Sequence, residues 1–168
     1  MNDKIAILAE NAVGKNRTQV NCSGTYAWCA RFVSNILTDA GIDGINTFSC
    51  TDMFKTMKSR PMDWSEPDDY PERGDILFFD WDRKNEEKPL DHVAIVTDFD
   101  HVSKRITYVN GNGENPNIVT KQEISVGSQS VAYWLRYIGG DCKRIAEIES
   151  QLAELKNKIE KIRNILDN

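Results

Sequence analysis

No stretch of this 168-residue chain approaches the ~18 consecutive apolar residues of a membrane span, so a spanning helix is not expected. A basic face is missing as well. The net charge of −5 falls entirely on residues 1–138, with 15 basic and 20 acidic side chains, while 139–168 carries six of each. That balance argues against a nucleic-acid partner. Cysteine occurs at 22, 29, 50 and 142, and no interval matches the Cys-x-x-Cys spacing of a zinc site. The N-terminus, MNDKIAILAENAVGKN, has no basic segment followed by a long apolar core and does not read as a secretory signal. Histidine is scarce, with two in the chain, and that scarcity narrows any choice of general base.

Three segments stand out against this background. In WCARFVSNILTDAGI (28–42), Phe32, Val33, Ile36, Leu37 and Ala40 recur at helical spacing, and Gly41 supplies a stop. Cys29 then falls in the first turn, where unpaired backbone N–H groups and the helix dipole favour a thiolate. The same N–H groups suit an oxyanion. The apolar runs 92–97 and 105–110 flank a polar DFDHVSK and read as a β-hairpin. A loop centred near His101 pairs His92 with Asn110, close enough for the Asn carbonyl to orient the imidazole. His101 falls at the exposed tip. Cysteine, histidine and asparagine together are the residue types of a thiol amidase or peptidase.

Trp-Cys-Ala-x-Phe-Val-Ser, then RGDILFFDWD (73–82), DHVAIV (91–96) and YVNGN (108–112) resemble the CHAP domain, the cysteine, histidine-dependent amidohydrolase/peptidase, over roughly residues 3–138. The resemblance implies a papain-like α+β fold and cleavage of peptidoglycan amide bonds, with Cys29 as nucleophile, His92 as base and Asn110 as third member. Phage endolysins are frequent carriers of the domain. On that footing the expected substrate is bacterial peptidoglycan. The enzyme would be made in the cytoplasm and act on the wall after phage-type release or another export route. An acidic domain should not cling to anionic wall polymers by charge alone. A second signature, Asn21-Cys22-Ser23-Gly24, is similar to the nucleophile segment of NlpC-type cell-wall peptidases. It keeps Cys22 as an alternative nucleophile, although NCSGT is turn-like and the helix starts at Cys29. All four cysteines are read as reduced, since a Cys22–Cys29 disulfide would silence the nucleophile.

Trp28, Trp81 and Asn112 are candidates to contact substrate, the two indoles as groove walls. Asp80, Asp82, Asn85, Glu86 and Asp91 crowd one segment. Asp80, Asp82 and Asp91 make a weak calcium candidate that lacks the glycine and final glutamate of an EF-hand. A solvated loop is the better reading, and no cofactor is expected. Strands are expected at 75–80, 92–98, 105–110, 117–124 and 131–138, with a short N-terminal helix ending near Gly14 and a helical turn near 51–58. Residues 43–72 are otherwise expected to be irregular. Helices first and strands after give an α+β domain over 1–138, with helices packed on an antiparallel sheet.

After Gly139-Gly140 the chain changes character. Ile145, Ile148, Leu152, Leu155, Ile159, Ile162 and Leu166 alternate three and four apart, the pattern of a coiled-coil helix over 142–168 of the 139–168 unit. Such a stripe needs a second copy, a partner subunit or the domain itself to cover it, and self-association is the expectation. A parallel pair would set Arg144 against Glu149 favourably and Lys158 against Arg163 unfavourably. The remaining alternative is a non-catalytic wall-binding or assembly protein organised by this helix.

Overall fold

The computed structural model describes residues 1–24, 27–81 and 90–166, with side chains of the last helix described at 148–159, 162 and 163. Among the described residues, four helices and six strands follow in the order α1 (Asn2–Glu10), α2 (Cys29–Ala40), α3 (Cys50–Lys58), β1 (Trp64–Ser65), β2 (Ile76–Phe79), β3 (His92–Asp100), β4 (Arg105–Asn110), β5 (Thr120–Ser125), β6 (Val131–Tyr137) and α4 (Gly139–Leu166). The strands form one antiparallel sheet in the order β1-β6-β2-β3-β4-β5. The class is α+β, as expected. β1 is a strand inside the segment expected to be irregular; it pairs Trp64 with Tyr137 at the sheet edge. β5 starts three residues later than expected, because Val119 N donates to Lys15 O and not to the neighbouring strand.

Pleat alternation divides the sheet between two cores. Ile76, Phe78, Val93, Ile95, Val109 and Leu135 join the helices in the larger one. Leu77, Phe79, Ala94, Val96, Ile106 and Tyr108 form a second cluster on the opposite face. With both faces covered, β2 and most of β3 read as unbroken apolar runs. The Arg-Gly-Asp before β2 ties the helical layer to the sheet. Arg73 holds Glu10 and Asp3 of α1. Gly74 adopts φ 92°, and a Cβ there would lie 2.2 Å from Asn2 O. Buried Asp75 takes both arms of Arg136 at 3.0 and 2.9 Å.

The β3–β4 register departs from the expected one. Ile95 pairs with Val109 and Val96 with Tyr108, and after a bulge at Thr97 the pairs run from Asp98–Thr107 to Asp100–Arg105. Continuing that register sets Asn110 across from Ala94, so His92 and Asn110 are diagonal neighbours and not directly opposed. The cause is the turn. β3 runs on to Asp100, whose Oδ1 accepts from Val102 N at 2.8 Å and Ser103 N at 3.3 Å, and Lys104 closes the loop at φ 56°. A shift of two residues preserves the face, and both side chains still meet.

Candidate active site

α2 starts at Cys29 after Trp28, whose side chain makes no cap bond. By contrast Ser49 Oγ caps α3 by accepting from Asp52 N at 3.1 Å. The first-turn N–H groups of α2 are thus not spent on the N-cap side chain. Trp28 itself is fully buried. Its ring packs edge-on to Phe32, its Nε1 donates to Pro116 O at 3.0 Å, and a Cβ on Gly111 would lie 2.3 Å from it. The burial corrects the groove-wall role expected of Trp28, because the residue has no surface to offer a ligand. It pins the helix start against the loop that follows Asn110.

Cys29 is 2 % exposed and His92 3 %, and Asn110 is fully buried. The Asn110 amide fixes where the imidazole proton sits. Its Nδ2 donates to Gln122 Oε1 at 2.8 Å, Thr120 Oγ1 at 3.3 Å and Thr120 O at 3.4 Å. A backbone carbonyl only accepts, so the amide nitrogen must face Thr120 and Oδ1 must face the imidazole. Oδ1 lies 3.1 Å from His92 Nε2 and accepts its N–H. The tautomer that results leaves Nδ1 unprotonated as the base. A Cβ at Gly113 would fall 2.1 Å from Asn110 Oδ1, so a side chain there would displace the carbonyl that holds the ring.

The thiol chemistry follows from the neighbours. Cys50, first residue of α3, places its Sγ 3.5 Å from Cys29 Sγ. Its S–H is the largest influence holding the Cys29 thiol well below the usual range, against an opposing burial effect. His92 and the Ala30 N–H add to the lowering. Cys50 moves the other way, driven up first by the adjacent Cys29 sulfur and then by burial. Cys22 is a different case. It is fully buried and donates its S–H to Val20 O at 3.3 Å, and Asn35 Nδ2 reaches its sulfur at 3.5 Å. Burial pushes that thiol up to about 11, against the guanidinium groups of Arg31 and Arg17. Cys22, Cys29 and Cys50 are free thiols, and the side chain of Cys142 lies outside the described residues.

Above the imidazole, Trp81 stacks at 4.9 Å and 21° while remaining 56 % exposed, and Phe79 flanks both rings, 5.7 Å from the imidazole and 6.2 Å from the indole. A cleft of about 350 Å³ opens here, lined by Trp81, His92, Tyr108, Gly113, Glu114 and Gln122. Burial, and then the Glu114 carboxylate, raise the Tyr108 phenol. Asn112 sits half-buried at φ 59° in the loop beside the cleft but not on its lining. A depression of about 370 Å³ over α1 and α2 is lined by no histidine or cysteine. His101 is exposed at the hairpin tip against Phe99 and Tyr70.

For calcium, Asp91 Oδ2 already accepts from Trp81 N at 2.8 Å, and Asp82, Asn85 and Glu86 lie outside the described residues. Among the described residues no three His, Cys, Asp or Glu side chains group as metal ligands. Sequence reasoning missed Cys50 and Gln122. Nothing in the sequence marks either one, because each gains its meaning from a neighbour on another element.

The family model described as CHAP domain matches residues 21–112, more than half of the chain. No curated protein matches the sequence. Among solved structures, Ly7917 is similar at TM-score 0.56 and 17 % identity over 82 % of this chain. Ly7917 with the hydrolyzing product of MDP is similar at TM-score 0.56 and 18 % identity over the same share. The chain spans 62 % and 63 % of the length of those two chains. At that identity the likeness concerns the fold.

Proposed function

This chain belongs to the CHAP domain family and has its papain-like α+β fold, and from that premise we propose that it is a peptidoglycan hydrolase cleaving an amide bond by a thiol mechanism. The observation that carries the reading is the convergence of Cys29, His92 and Asn110 from a helix start, a strand start and a strand end. The solved complex of Ly7917 with the hydrolyzing product of MDP supports a hydrolytic reaction.

In the proposed mechanism His92 Nδ1 takes the Cys29 proton and the thiolate attacks the amide carbonyl. The oxyanion forms at the start of α2, where backbone N–H groups converge. His92 then protonates the leaving amine, and water releases the acyl group from Cys29. Asn110 stays neutral and holds the ring through Nε2, itself held by Gln122 and Thr120. Trp81 shields the imidazole and forms one wall of the groove, with Asn112 near its rim. The scissile bond is that between muramic acid and alanine, or one within the stem or cross-bridge. The biological setting proposed is that of a phage endolysin, made in the cytoplasm and released to the wall, which works as an oligomer through α4.

Turbidity loss of purified Gram-positive walls tests this with wild type, Cys29→Ala and Cys22→Ala, each checked for folding by circular dichroism. Lysis should vanish in Cys29→Ala and persist in Cys22→Ala. Loss confined to Cys22→Ala would transfer the nucleophile to the NlpC-type position. A wild type inert on several wall chemistries would favour the non-catalytic assembly reading.

A further inference from the structure

Among the described residues, the stripe on α4 has no cover. Ile148, Leu152, Leu155, Ile159 and Ile162 are between 51 % and 62 % exposed, along a helix of 28 residues. No soluble helix carries that row of branched apolar side chains in water without cost. Charge decides what covers it. With Leu152 and Ile159 at a and Ile148, Leu155 and Ile162 at d, the e positions are Glu149, Lys156 and Arg163, and the central g positions are Gln151 and Lys158.

In a parallel pair each g faces the e of the following heptad in the other chain. Gln151 then meets Lys156, which is neutral, and Lys158 meets Arg163, which is repulsive and occurs twice. Arg144 meets Glu149 favourably, also twice, so attraction and repulsion offset each other in the parallel pair. In an antiparallel pair with Leu152 opposite Leu155 of the second copy, Ile148 falls opposite Ile159, and e faces e while g faces g. Glu149 then meets Lys156 of the second copy, also twice, and Gln151 meets Lys158. No like charges face each other along 148–159. A slip of one heptad in one direction would set Glu149 against its own symmetry mate, and in the other direction Lys156, so the charges select this register.

Resting on the self-association proposed above, we infer that α4 pairs with α4 of a second copy as an antiparallel two-stranded coiled coil centred between Leu152 and Leu155. The helix is about 42 Å long at 1.5 Å per residue. The two catalytic domains therefore hang from opposite ends of one rod, facing separate stretches of a polymeric substrate. Each copy adds a site to the same particle, and two tethered sites raise the local concentration of the second once the first has bound.

Light scattering of the full chain across a concentration series tests both stoichiometry and direction. The wild type should dissociate from dimer to monomer on dilution. Lys156→Glu sets the Glu149 carboxylate of each copy against a carboxylate of the other, at two places, and should weaken the dimer roughly ten-fold or more. The double variant Glu149→Lys with Lys156→Glu restores opposite charges and should return most of that loss. Lys158→Glu should leave the antiparallel dimer nearly unchanged, since it faces Gln151. A dimer that tightens in Lys158→Glu and ignores Lys156→Glu is parallel, which overturns the direction while leaving self-association intact. A wild type that stays monomeric overturns both, and a trimer or tetramer overturns the two-stranded pairing.

Discussion

Two buried sulfurs 3.5 Å apart at the starts of two helices cannot both ionise, and their neighbours decide which one does. Cys29 has the imidazole and the Ala30 N–H; Cys50 has its own N–H but no imidazole, faces the Asp91 carboxylate, and keeps its proton as donor. Alkylation by iodoacetamide reads this directly. Cys29 should react at pH 6, where an ordinary thiol near ~8.5 is almost wholly protonated. Cys22, pushed up to about 11, should stay unlabelled in the folded chain. Cys50→Ala removes the donor and should move the pH profile of Cys29 labelling upward, whereas Cys50→Ser retains an O–H and should hold it near wild type. An unchanged profile in Cys50→Ala would give the pair no electrostatic role. The same reasoning applies one bond further out. Gln122→Ala frees the Asn110 amide to rotate, and kcat should fall between about ten-fold and a hundred-fold with little change in KM. Equal kcat in that variant would show that Thr120 suffices.

At the scale of elements, the Trp28 ring on Gly111 holds the start of α2 against the end of β4. No Cβ fits there, since it would approach a ring carbon within 2.3 Å. Gly111→Ala should destabilise the chain by about 1–3 kcal/mol, the usual cost of overpacking a buried contact. It should also separate Cys29 from His92, so lytic activity should fall further than stability does. Urea denaturation alongside the turbidity assay distinguishes the two effects. A variant as active as wild type would mean that the helix start is held from elsewhere.

Across the whole molecule, every described residue of both cores lies before 138, and the described residues of α4 contribute none of them. A chain of residues 1–138 should therefore unfold cooperatively within a few degrees of the full-length Tm, followed by circular dichroism. It should retain wall lysis per site and run as a monomer. A truncated chain that fails to fold would assign α4 a part in the domain.

The amino-acid sequence alone determined the type of every element but β1, and the three chemical groups. Helical spacing from Phe32 to Ala40 placed Cys29 in a first turn, β-rich runs placed His92 and Asn110 on adjacent strands, and the heptads of 142–168 marked a separate helix. These signals are local, since hydrophobic periodicity reports which face of an element is buried. Distances across elements belonged to the tertiary structure. The bulge at Thr97 and the Asp100 turn set a register that strand composition does not encode, because side-chain alternation fixes the face but not the residue opposite. Trp28 reads identically as groove wall or core until its neighbours exist, and packing against Gly111 made it core. Cys50 and Gln122 came to the site from α3 and β5 only through the fold, since a thiol or an amide has no functional pattern until a partner stands within hydrogen-bond reach.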